Sequence, residues 1–309
     1  MASVTLAESA KLAQDDLVAG VIENVITVNE MFELLPFDGI DGNALAYNRE
    51  NVLGDVQMAG VGTTITAKAA ATFTQVTSTL TTIIGDAEVN GLIQATRSGD
   101  GNDQKAVQIA SKAKSCGRKY QDQLINGDGT GANMAGLLGL AAAGQKFFAG
   151  NAAANGAPLS FDDLDALIDL VTDKDGQVDY LMMNGRTRRA YMALLRSLGG
   201  TSPGDIYTMA SGRQVPSYRG IPIFRNDWIP INQTRGASTN ATSVIAGTFD
   251  DGSRSNGIAG LTAEKAAGIN IKEVGEKEDA DESITRVVWY CGVALFSEKG
   301  LAILSGVTN

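Results

Sequence analysis

The segment Gly127-Asp-Gly129-Thr-Gly131-Ala132 is the part of the chain whose residue types and spacing come closest to a chemical motif. It satisfies a loose G-x-G-x-x-A pattern, which in a dinucleotide-binding fold cradles a pyrophosphate at the start of a helix. That use requires a strand before the glycines, whereas here a long predicted helix precedes them, and no G-x-x-x-x-G-K-[ST] motif occurs. The pattern therefore favours a turn at a helix C-terminus, where glycine permits left-handed backbone angles.

The chain contains no histidine, which removes the commonest general base and the commonest zinc ligand. Nucleophiles activated by histidine are therefore excluded, as are metal sites that need it. Asp173-Lys-Asp175-Gly176 resembles the start of a calcium loop, but no glutamate stands where it would close the loop, so a surface turn is favoured. No carboxylate pair stands in a pattern typical of acid/base catalysis. We predict no enzyme, no cofactor, and no catalytic, cofactor-binding or metal-binding residue; an enzyme is unsupported rather than excluded.

The composition favours a protein whose surface is covered by neighbouring chains. The 309 residues include 25 Lys and Arg against 35 Asp and Glu, a net charge of −10, so nucleic-acid phosphates would repel the chain as a whole. Charged residues make up only 19% and 36 residues are glycine, which leaves much of the surface small and uncharged. No signal peptide or membrane span is predicted. Cys116 and Cys291 are predicted to be buried thiols rather than a disulfide.

Residues 102–139 are predicted to form one long amphipathic helix that runs into the glycine turn. Roughly twenty helical residues or more would make a rod of about 35 Å, longer than most helices of a compact domain. Small and apolar residues recur every three or four positions, which is the spacing of one helical face. This predicted face comprises Ala106, Ile109, Ala110, Ala113, Gly117, Tyr120 and Leu124. The glycines are then the joint at the end of a structural spine.

A segment with little apolar content of its own precedes this helix. Residues 44–49 are predicted to be a strand, and residues 73–84 alternate Thr or Ser with apolar residues, which is the period of another strand. Between them, residues 50–72 are rich in glycine, threonine and alanine and contain no aromatic residue. We predict a long hairpin that needs another chain to lie on, since an isolated hairpin is marginally stable in water. A disordered surface loop is the alternative.

Helical and strand patterns alternate in the rest of the chain. The residues up to Phe32 are predicted to form a helical arm that ends at a turn-rich segment, residues 37–43. Ser160 is predicted to cap a helix, which a short strand at 179–184 and a basic helix at 186–198 follow. The remaining predicted strands are residues 220–225, 243–249, 257–262, 269–274, 284–295 and 301–307.

Two basic clusters lie on predicted helices, and each could face a nucleic acid or the acidic surface of a neighbouring subunit. An acidic cluster before the last long strand is predicted to be a solvated turn. The basic clusters are Lys105, Lys112, Lys114, Arg118 and Lys119, and Arg186, Arg188, Arg189 and Arg196; the acidic cluster is Glu273, Glu276, Glu278, Asp279, Asp281 and Glu282.

In this order, the segments resemble the major capsid protein of tailed bacteriophages of the Hong Kong phage type, whose fold encapsulin shells share. LINGDGTG at 124–131, with a following GLL, is the most specific similarity. RGIPIFRNDWIP, ending at residue 230, resembles the family's turn and strand before its later central strands, and ITRVVWYCGVALFSEKGLAILSG at 284–306 is similar to its C-terminal strand pair. The resemblance covers nearly the whole chain.

The resemblance implies an α+β fold with an N-terminal arm, an extended β-hairpin loop, a long spine helix, a peripheral domain and an axial domain. On this basis the arm is residues 1–43 and the extended loop with its flanking strands is residues 44–80. The peripheral domain with the spine helix is residues 81–140 and 267–309, and the axial domain is residues 141–266.

The implied function is self-assembly: hexamers and pentamers would close into an icosahedral shell around double-stranded DNA. The implied partners are further copies of the chain, then scaffolding, portal and cement proteins; DNA would be held only by weak non-specific contact, and no membrane is involved. The protein would be made in the bacterial host cytoplasm and reside in the capsid of the virion. Two alternatives stay open, an encapsulin-type compartment with enzyme cargo and a soluble α/β enzyme or ligand-binding protein that uses residues 141–266.

Some members of the family join their subunits by a lysine–asparagine isopeptide bond that a glutamate promotes. Lys68 lies in the loop and matches the lysine, but Thr285 and Gly292 stand about where the asparagine and glutamate are expected. We therefore predict no covalent crosslink. Denaturing gel electrophoresis of mature shells is expected to show only the monomer band, and a ladder above it would contradict the prediction.

Overall fold

The computed structural model of the protein describes residues 34–98, 103–173, 176–197, 206–209 and 212–309. Most of the predicted N-terminal arm lies outside the described residues. Within them, no helix is long and apolar enough to cross a membrane.

The strands are β1 (Phe37–Ile40), β2 (Ala44–Val52), β3 (Thr72–Thr79), β4 (Thr81–Asn90), β5 (Lys146–Phe148), β6 (Tyr180–Met183), β7 (Ile206–Thr208), β8 (Gln214–Tyr218), β9 (Ile221–Arg225), β10 (Gln233–Arg235), β11 (Ser238–Gly247), β12 (Ile258–Ala263), β13 (Ile269–Glu276), β14 (Glu282–Leu295) and β15 (Leu301–Val307). The α-helices are α1 (Gly91–Arg97), α2 (Gln104–Asn126), α3 (Leu137–Leu140), α4 (Ala149–Ala152), α5 (Phe161–Thr172) and α6 (Gly185–Ser197), with 3-10 turns at Ala143–Gln145, Glu264–Ala266 and Glu298–Gly300.

Strand β14 is the centre of a five-stranded sheet. Its sequence is rich in β-branched and aromatic residues, which fit an extended backbone. It pairs antiparallel with β4, β12 and β13, and β1 adds to β12 as a parallel edge strand. The predicted turn at 37–43 is therefore wrong for Phe37–Ile40. This segment is extended because Ile40 is buried and the ring of Phe37 lies 5.8 Å from that of Tyr120, tertiary contacts that the local sequence does not reveal.

A second, eight-stranded sheet has the strand order β5, β15, β11, β6, β9, β8, β7, with β10 beside β11. Strands β6 and β9 are parallel, and the connection between them contains α6, β7 and β8. Side chains along β6 alternate between the two faces of the sheet. Tyr180 and Met182 join the core shared with α2, whereas Leu181 and Met183 join the core beneath α5 and α6.

The two large sheets do not follow the predicted domain boundaries. Strand β12 falls within the predicted axial segment, residues 141–266, yet it is hydrogen-bonded into the five-stranded sheet. Strand β15 falls within the predicted peripheral segment, residues 267–309, yet it lies between β5 and β11 in the eight-stranded sheet. Long-range pairing therefore places β12 in the five-stranded sheet and β15 in the eight-stranded sheet. The division into peripheral and axial domains stays a prediction.

Helix α2 is the predicted spine helix. Its 23 residues make a rod of about 35 Å, and Asp103 caps it by accepting a hydrogen bond from the Lys105 amide at 3.0 Å. In its C-terminal half Tyr120 is fully buried, as predicted. In its N-terminal half Ala106 and Ala110 are exposed, so the predicted face is wrong there. The buried residue is instead Gln104, and alanines are small enough to fit either environment.

The predicted strand at 73–84 is two strands in different sheets. Strand β3 pairs with β2, whereas β4 pairs with β14. The chain changes sheet at Leu80, whose amide donates to the Asn43 carbonyl at 2.9 Å. Because Thr and apolar residues alternate on both sides of this position, the sequence pattern does not show the change.

Candidate assembly surfaces

The hairpin of β2 and β3 is a separate two-stranded sheet whose base is fixed to the end of β14. Tyr47 Oη donates to the Leu295 carbonyl at 2.7 Å, and the Tyr47 ring lies edge-on to Phe296 with 5.2 Å between centroids. Arg49 Nε donates to the Phe296 carbonyl at 2.9 Å, and its Nη1 pairs with Glu298 at 2.8 Å. The hairpin therefore leaves the body of the protein at a defined position.

Beyond these strands, residues 53–71 form a narrow tip loop that one side chain, Gln57, organises. Its Nε2 donates to the Thr64 carbonyl at 3.1 Å, and its Oε1 accepts from the amides of Thr66 at 2.7 Å and Ala67 at 2.9 Å. The loop reverses direction at Gly62, whose φ of 83° is the left-handed angle that a type II turn requires at its third residue. Gln57 thus joins the two limbs of the loop where strand pairing has ended.

The tip loop presents large apolar side chains to its surroundings. Val56 is 89% exposed, Met58 101% and Val61 111%, and no described residue of the same chain covers them. Burying one such side chain stabilises a structure by about 1.5–3 kcal/mol. Clustered apolar side chains on a projecting loop are typical of an interaction surface rather than of a monomer. The predicted hairpin is confirmed over β2 and β3, and the tip loop is its candidate contact surface.

The glycine turn after α2 is closed by its own hydrogen bonds. The Gly127 amide donates to the Gln123 carbonyl at 2.9 Å, and the Gly129 amide donates to the Met134 carbonyl at 3.1 Å. The Asp128 carboxylate stands among these amides and accepts from the Thr130 amide at 3.1 Å. Since these donors are used and a negative charge is already present, the geometry is that of a turn ending a helix, as the sequence predicted.

A side chain at Gly127 is expected to disrupt this turn. A Cβ atom there would lie 2.1 Å from the Met134 carbonyl oxygen and 2.6 Å from the Gln123 carbonyl oxygen, and both are backbone atoms that cannot move aside. We expect Gly127→Ala to lower the free energy of unfolding by about 2 kcal/mol or more, measured by urea denaturation of unassembled subunits. The matched control is Gly144→Ala, where no atom lies within 4 Å of the new Cβ. An equal effect of the two substitutions would contradict this account.

The same turn gives the protein an acid-sensitive group. Hydrogen bonds from the Thr130 hydroxyl and amide, and from Asn133, lower the pKa of Asp128 to about 2. A lowered folded-state pKa contributes stability that is present above the unfolded-state value, near 3.9, and is lost as pH falls through the folded-state value. We therefore expect the free energy of unfolding to fall between about pH 4 and pH 2. The slope in this window should be smaller in Asp128→Asn, and an unchanged slope would contradict the assignment.

Helix α2 is tied to the loop after β9 through Trp228. The indole Nε1 donates to Gln121 Oε1 at 2.9 Å, and the Arg118 guanidinium lies 5.2 Å from the ring centroid. Asn126 Nδ2 donates to the Trp228 carbonyl at 2.9 Å. The end of the spine helix is therefore held against the loop that follows β9 of the eight-stranded sheet.

The cations of α2 mostly contact their own chain. Lys105 pairs with Glu273, Lys119 pairs with Asp122 at 3.4 Å, and Arg118 lies over Trp228. Three of the five cations of this cluster therefore have a partner within their own chain. The same contacts also show that Glu273, predicted to belong to a solvated turn, is one end of an ion pair.

The titratable groups that the structure describes do not converge on a catalytic arrangement. Among the described residues, no three Cys, Asp or Glu side chains are grouped so as to hold a metal ion. Burial raises the pKa of Asp179 and of Asp250, but each carboxylate accepts backbone amides, from Phe249 at 2.9 Å and from Arg254 at 3.1 Å respectively. Both are loop-fixing groups. Part of the calcium-like turn, residues 174–175, lies outside the described residues.

The residues that fix the hairpin were not predicted from the sequence. Tyr47 and Arg49 stand two positions apart on β2 and therefore point to the same face, which is a signal that the alternation of the strand offered. Gln57 offered no such signal, because its partners are created by the fold of the loop. Cys116 and Cys291 are both buried and free, as predicted.

Solved structures share this fold at low sequence identity, whereas curated protein sequences give no match to the chain. The holo-SrpI encapsulin complex from Synechococcus elongatus PCC 7942 is 18% identical, with a TM-score of 0.74 over 99% of this chain and 96% of that one. The cyanophage A-1(L) capsid is 11% identical, with a TM-score of 0.71 over 99% and 100% of the two chains. The capsid of the native GTA particle is 13% identical, with a TM-score of 0.69 over the full length of both.

These structures confirm the α+β capsid fold of the Hong Kong phage type, which encapsulins and phage capsids share. A family model described as Type 2A encapsulin shell protein SrpI-like matches residues 103–308. That segment includes the spine helix, its glycine turn and both large sheets apart from β1 and β4. The protein is thus a shell-forming structural protein, and its chain belongs to the SrpI-like family of type 2A encapsulin shell proteins.

Proposed function

We propose that this protein forms the shell of an encapsulin-type compartment, in which pentamers and hexamers close into an icosahedral particle around a protein cargo. The observation that carries the proposal is the tip loop, whose apolar side chains Val56, Met58 and Val61 are uncovered in the single chain. Their cover must come from another molecule, and in a shell of identical subunits that molecule is a second copy of the chain.

The anchoring of the hairpin supports this role. Contacts of Tyr47 and Arg49 with the end of β14 fix where the hairpin leaves the subunit, and Gln57 holds the tip loop in one conformation. A contact segment that is ordered before association loses less conformational entropy on binding. The free subunit therefore presents the tip loop in a form that a neighbour can accept.

We also propose how the chain is arranged within a capsomer. Residues 44–80 form the extended loop that overlaps a neighbour, and residues 81–140 with 267–309 form the peripheral region around the spine helix. Residues 141–266 form the axial region at the capsomer centre. Strand β12 of this region joins the five-stranded sheet, and β15 of the peripheral region joins the eight-stranded sheet. Residues 1–43 form an arm that reaches an adjacent subunit.

The charge of the chain supports a protein cargo over nucleic acid. The net charge is −10, and two lysines of α2, Lys105 and Lys119, are ion-paired within their own chain. Binding of double-stranded DNA depends on neutralising phosphates with lysine and arginine. A shell of this composition holds DNA only weakly.

A tailed-phage major capsid protein is the second candidate. The observation in its favour is the similarity of fold to the cyanophage A-1(L) and native GTA capsids over nearly the whole chain. In that case the shell would enclose double-stranded DNA, reside in a virion, and work with portal, scaffolding and cement proteins.

Electron microscopy of the purified recombinant protein tests the proposal of self-assembly. Uniform closed particles are expected, and a monodisperse monomer at high concentration would overturn it. Particles purified from the native source then separate the two candidates after nuclease treatment. A copurifying protein without protected DNA supports the compartment, whereas nuclease-protected double-stranded DNA of uniform length supports the phage capsid and overturns the proposed cargo.

A further inference from the structure

Helices α5 and α6 carry opposite charges, and neither mixes the two signs. The sequence of α5, FDDLDALIDLVT, has four aspartates and no lysine or arginine. The sequence of α6, GRTRRAYMALLRS, has four arginines and no acidic residue. Opposite charges three or four residues apart on one surface of an exposed helix stabilise that helix. Because each helix carries charges of one sign only, the oppositely charged groups that balance them lie outside that helix.

The outward faces of the two helices repeat the same spacing. Exposed residues at positions i, i+4 and i+7 are Asp162, Ala166 and Asp169 on α5 and Arg189, Ala193 and Arg196 on α6. Such positions form one stripe along a helix, with the two charges about 10.5 Å apart. Each stripe therefore has a charge at both ends and a small side chain between them, so the two stripes match in register and are opposite in sign.

The aspartates that contact their own chain are not those of the stripe. Asp163 is buried and accepts the Ser160 hydroxyl at 2.7 Å, and Asp165 accepts the Tyr218 hydroxyl at 2.8 Å. Among the described residues, the side chains of Asp162 and Asp169 form no ion pair. The stripe on α5 is left facing outward with its charge uncompensated.

The arginines divide in the same way. Arg186 donates to the Asn240 carbonyl at 2.5 Å and therefore serves the subunit itself. Arg196 makes one bond, from Nε to the Met192 carbonyl of its own helix at 3.2 Å, and neither it nor Arg189 is ion-paired with a described residue. The stripe on α6 thus presents two positive charges outward from a protein of net charge −10.

The two helices cover opposite halves of one sheet face. Helix α5 packs over β11 and β15, toward the β5 edge. Helix α6 lies toward the β7 edge, because Tyr191 Oη donates to the Ser217 carbonyl of β8 at 3.0 Å. Both belong to the same apolar core, in which Phe161 and Tyr191 meet with 6.2 Å between ring centroids. The sheet therefore has an acidic side and a basic side.

We propose that the arginine stripe of α6 in one copy packs against the aspartate stripe of α5 in the next copy, and that this contact sets the head-to-tail order of subunits around a capsomer. A contact between two different surfaces of identical chains is heterologous, and a heterologous contact generates a closed ring when its rotation closes. Opposite charges at the two sides favour this order, since a pairing of two like sides juxtaposes like charges. The inference rests on the proposed shell function.

Charge reversal of each stripe, alone and together, tests the proposal. The variant Arg189→Asp/Arg196→Asp and the variant Asp162→Arg/Asp169→Arg each place like charges across every such contact. Each is expected to raise the subunit concentration at which particles form by at least tenfold, as measured by light scattering and electron microscopy. The variant that combines all four substitutions keeps the net charge of −10 and should assemble near the wild-type concentration.

The outcomes separate the inference from the shell function. Wild-type particles together with normal assembly of either single-stripe variant, or with no recovery in the combined variant, would overturn the stripe contact and leave the shell function intact. If the wild-type protein forms no particle, the shell function itself fails. Loss of copurifying nucleic acid in the arginine variant, without recovery of assembly in the combined one, would mean that the α6 stripe holds a polyanion instead. Circular dichroism of all variants verifies that the subunits fold.

Discussion

Replacing Val56, Met58 and Val61 by serine is expected to prevent shell formation at concentrations where the wild-type protein assembles. These side chains are almost completely exposed in the single chain, so any apolar surface that they lose in the shell is lost to a neighbour. If a neighbour covers half of each, the substitutions remove about 3 kcal/mol per contact, which is roughly a hundredfold in the association constant. The measurement is the concentration at which light scattering and electron microscopy detect particles.

The subunit itself should tolerate these substitutions. Exposed positions without structural contacts usually change the free energy of unfolding by less than about 0.5 kcal/mol. The matched control is Ala59→Ser/Ala70→Ser, which adds hydroxyl groups to exposed positions of the same loop but removes no large apolar side chain. Assembly of the triple variant at the wild-type concentration would show that the tip loop is not a contact surface.

Patterns confined to one element were sufficient for much of the fold. Ser160 was identified as a helix cap, and in the structure its hydroxyl accepts the Asp163 amide at 3.1 Å. The β-branched and aromatic run at 284–295 is β14, and the strand predicted at 301–307 is β15. In each case the local chemistry and the tertiary environment require the same conformation, so reading a few neighbouring residues was enough.

Predictions failed where the partner is distant in sequence. The segment at Phe37 has turn-forming residues, yet it is a strand because β12 lies beside it. Short strands such as β5, β7 and β10 were not predicted at all, since three residues carry no period and only the neighbouring strand defines them. The change of sheet at Leu80 is invisible for the same reason.

The tip loop was predictable as a contact surface from the residue types that its sequence lacks. Residues 50–72 have no aromatic residue with which to build a core, and this absence indicated a loop that depends on another chain. The role of Gln57 in holding the loop could not be predicted. Its hydrogen bonds form only because the fold brings the amides of Thr66 and Ala67 opposite its side chain. The loop needs a partner chain because it has too few apolar residues to form a core. The hydrogen bonds of Gln57 order the loop before that partner binds.

The family match favours a shell protein over the alternative of a soluble enzyme that uses residues 141–266. The SrpI-like family is one of shell proteins, and the family model covers this segment completely. The carboxylates with raised pKa values in it, Asp179 and Asp250, are bonded to the backbone of their own loops.

Tyr120→Ala is expected to destabilise the subunit by about 4 kcal/mol, which is a large part of the roughly 5–15 kcal/mol by which native proteins are stable. Tyr120 is fully buried, and its ring lies 4.6 Å from Trp289 of β14 and 5.8 Å from Phe37 of β1. It is therefore the point where the spine helix meets two strands of the five-stranded sheet. The substitution leaves a cavity at this junction and should show as loss of soluble subunits and of particles.

The contribution of the ring and that of the hydroxyl group can be separated. Tyr120 Oη donates to the Gly292 carbonyl at 3.3 Å, and burial raises the pKa of this hydroxyl well above its ordinary value, so it remains a donor at neutral pH. Tyr120→Phe keeps the ring contacts and leaves that carbonyl without this donor, for an expected cost of about 1 kcal/mol in urea denaturation of unassembled subunits. Equal losses in the two variants would mean that the hydrogen bond, and not the packing of the ring, joins the spine helix to the sheet. A small loss in both would mean that other contacts, such as those of Gln121 and Asn126 with Trp228, hold the spine helix.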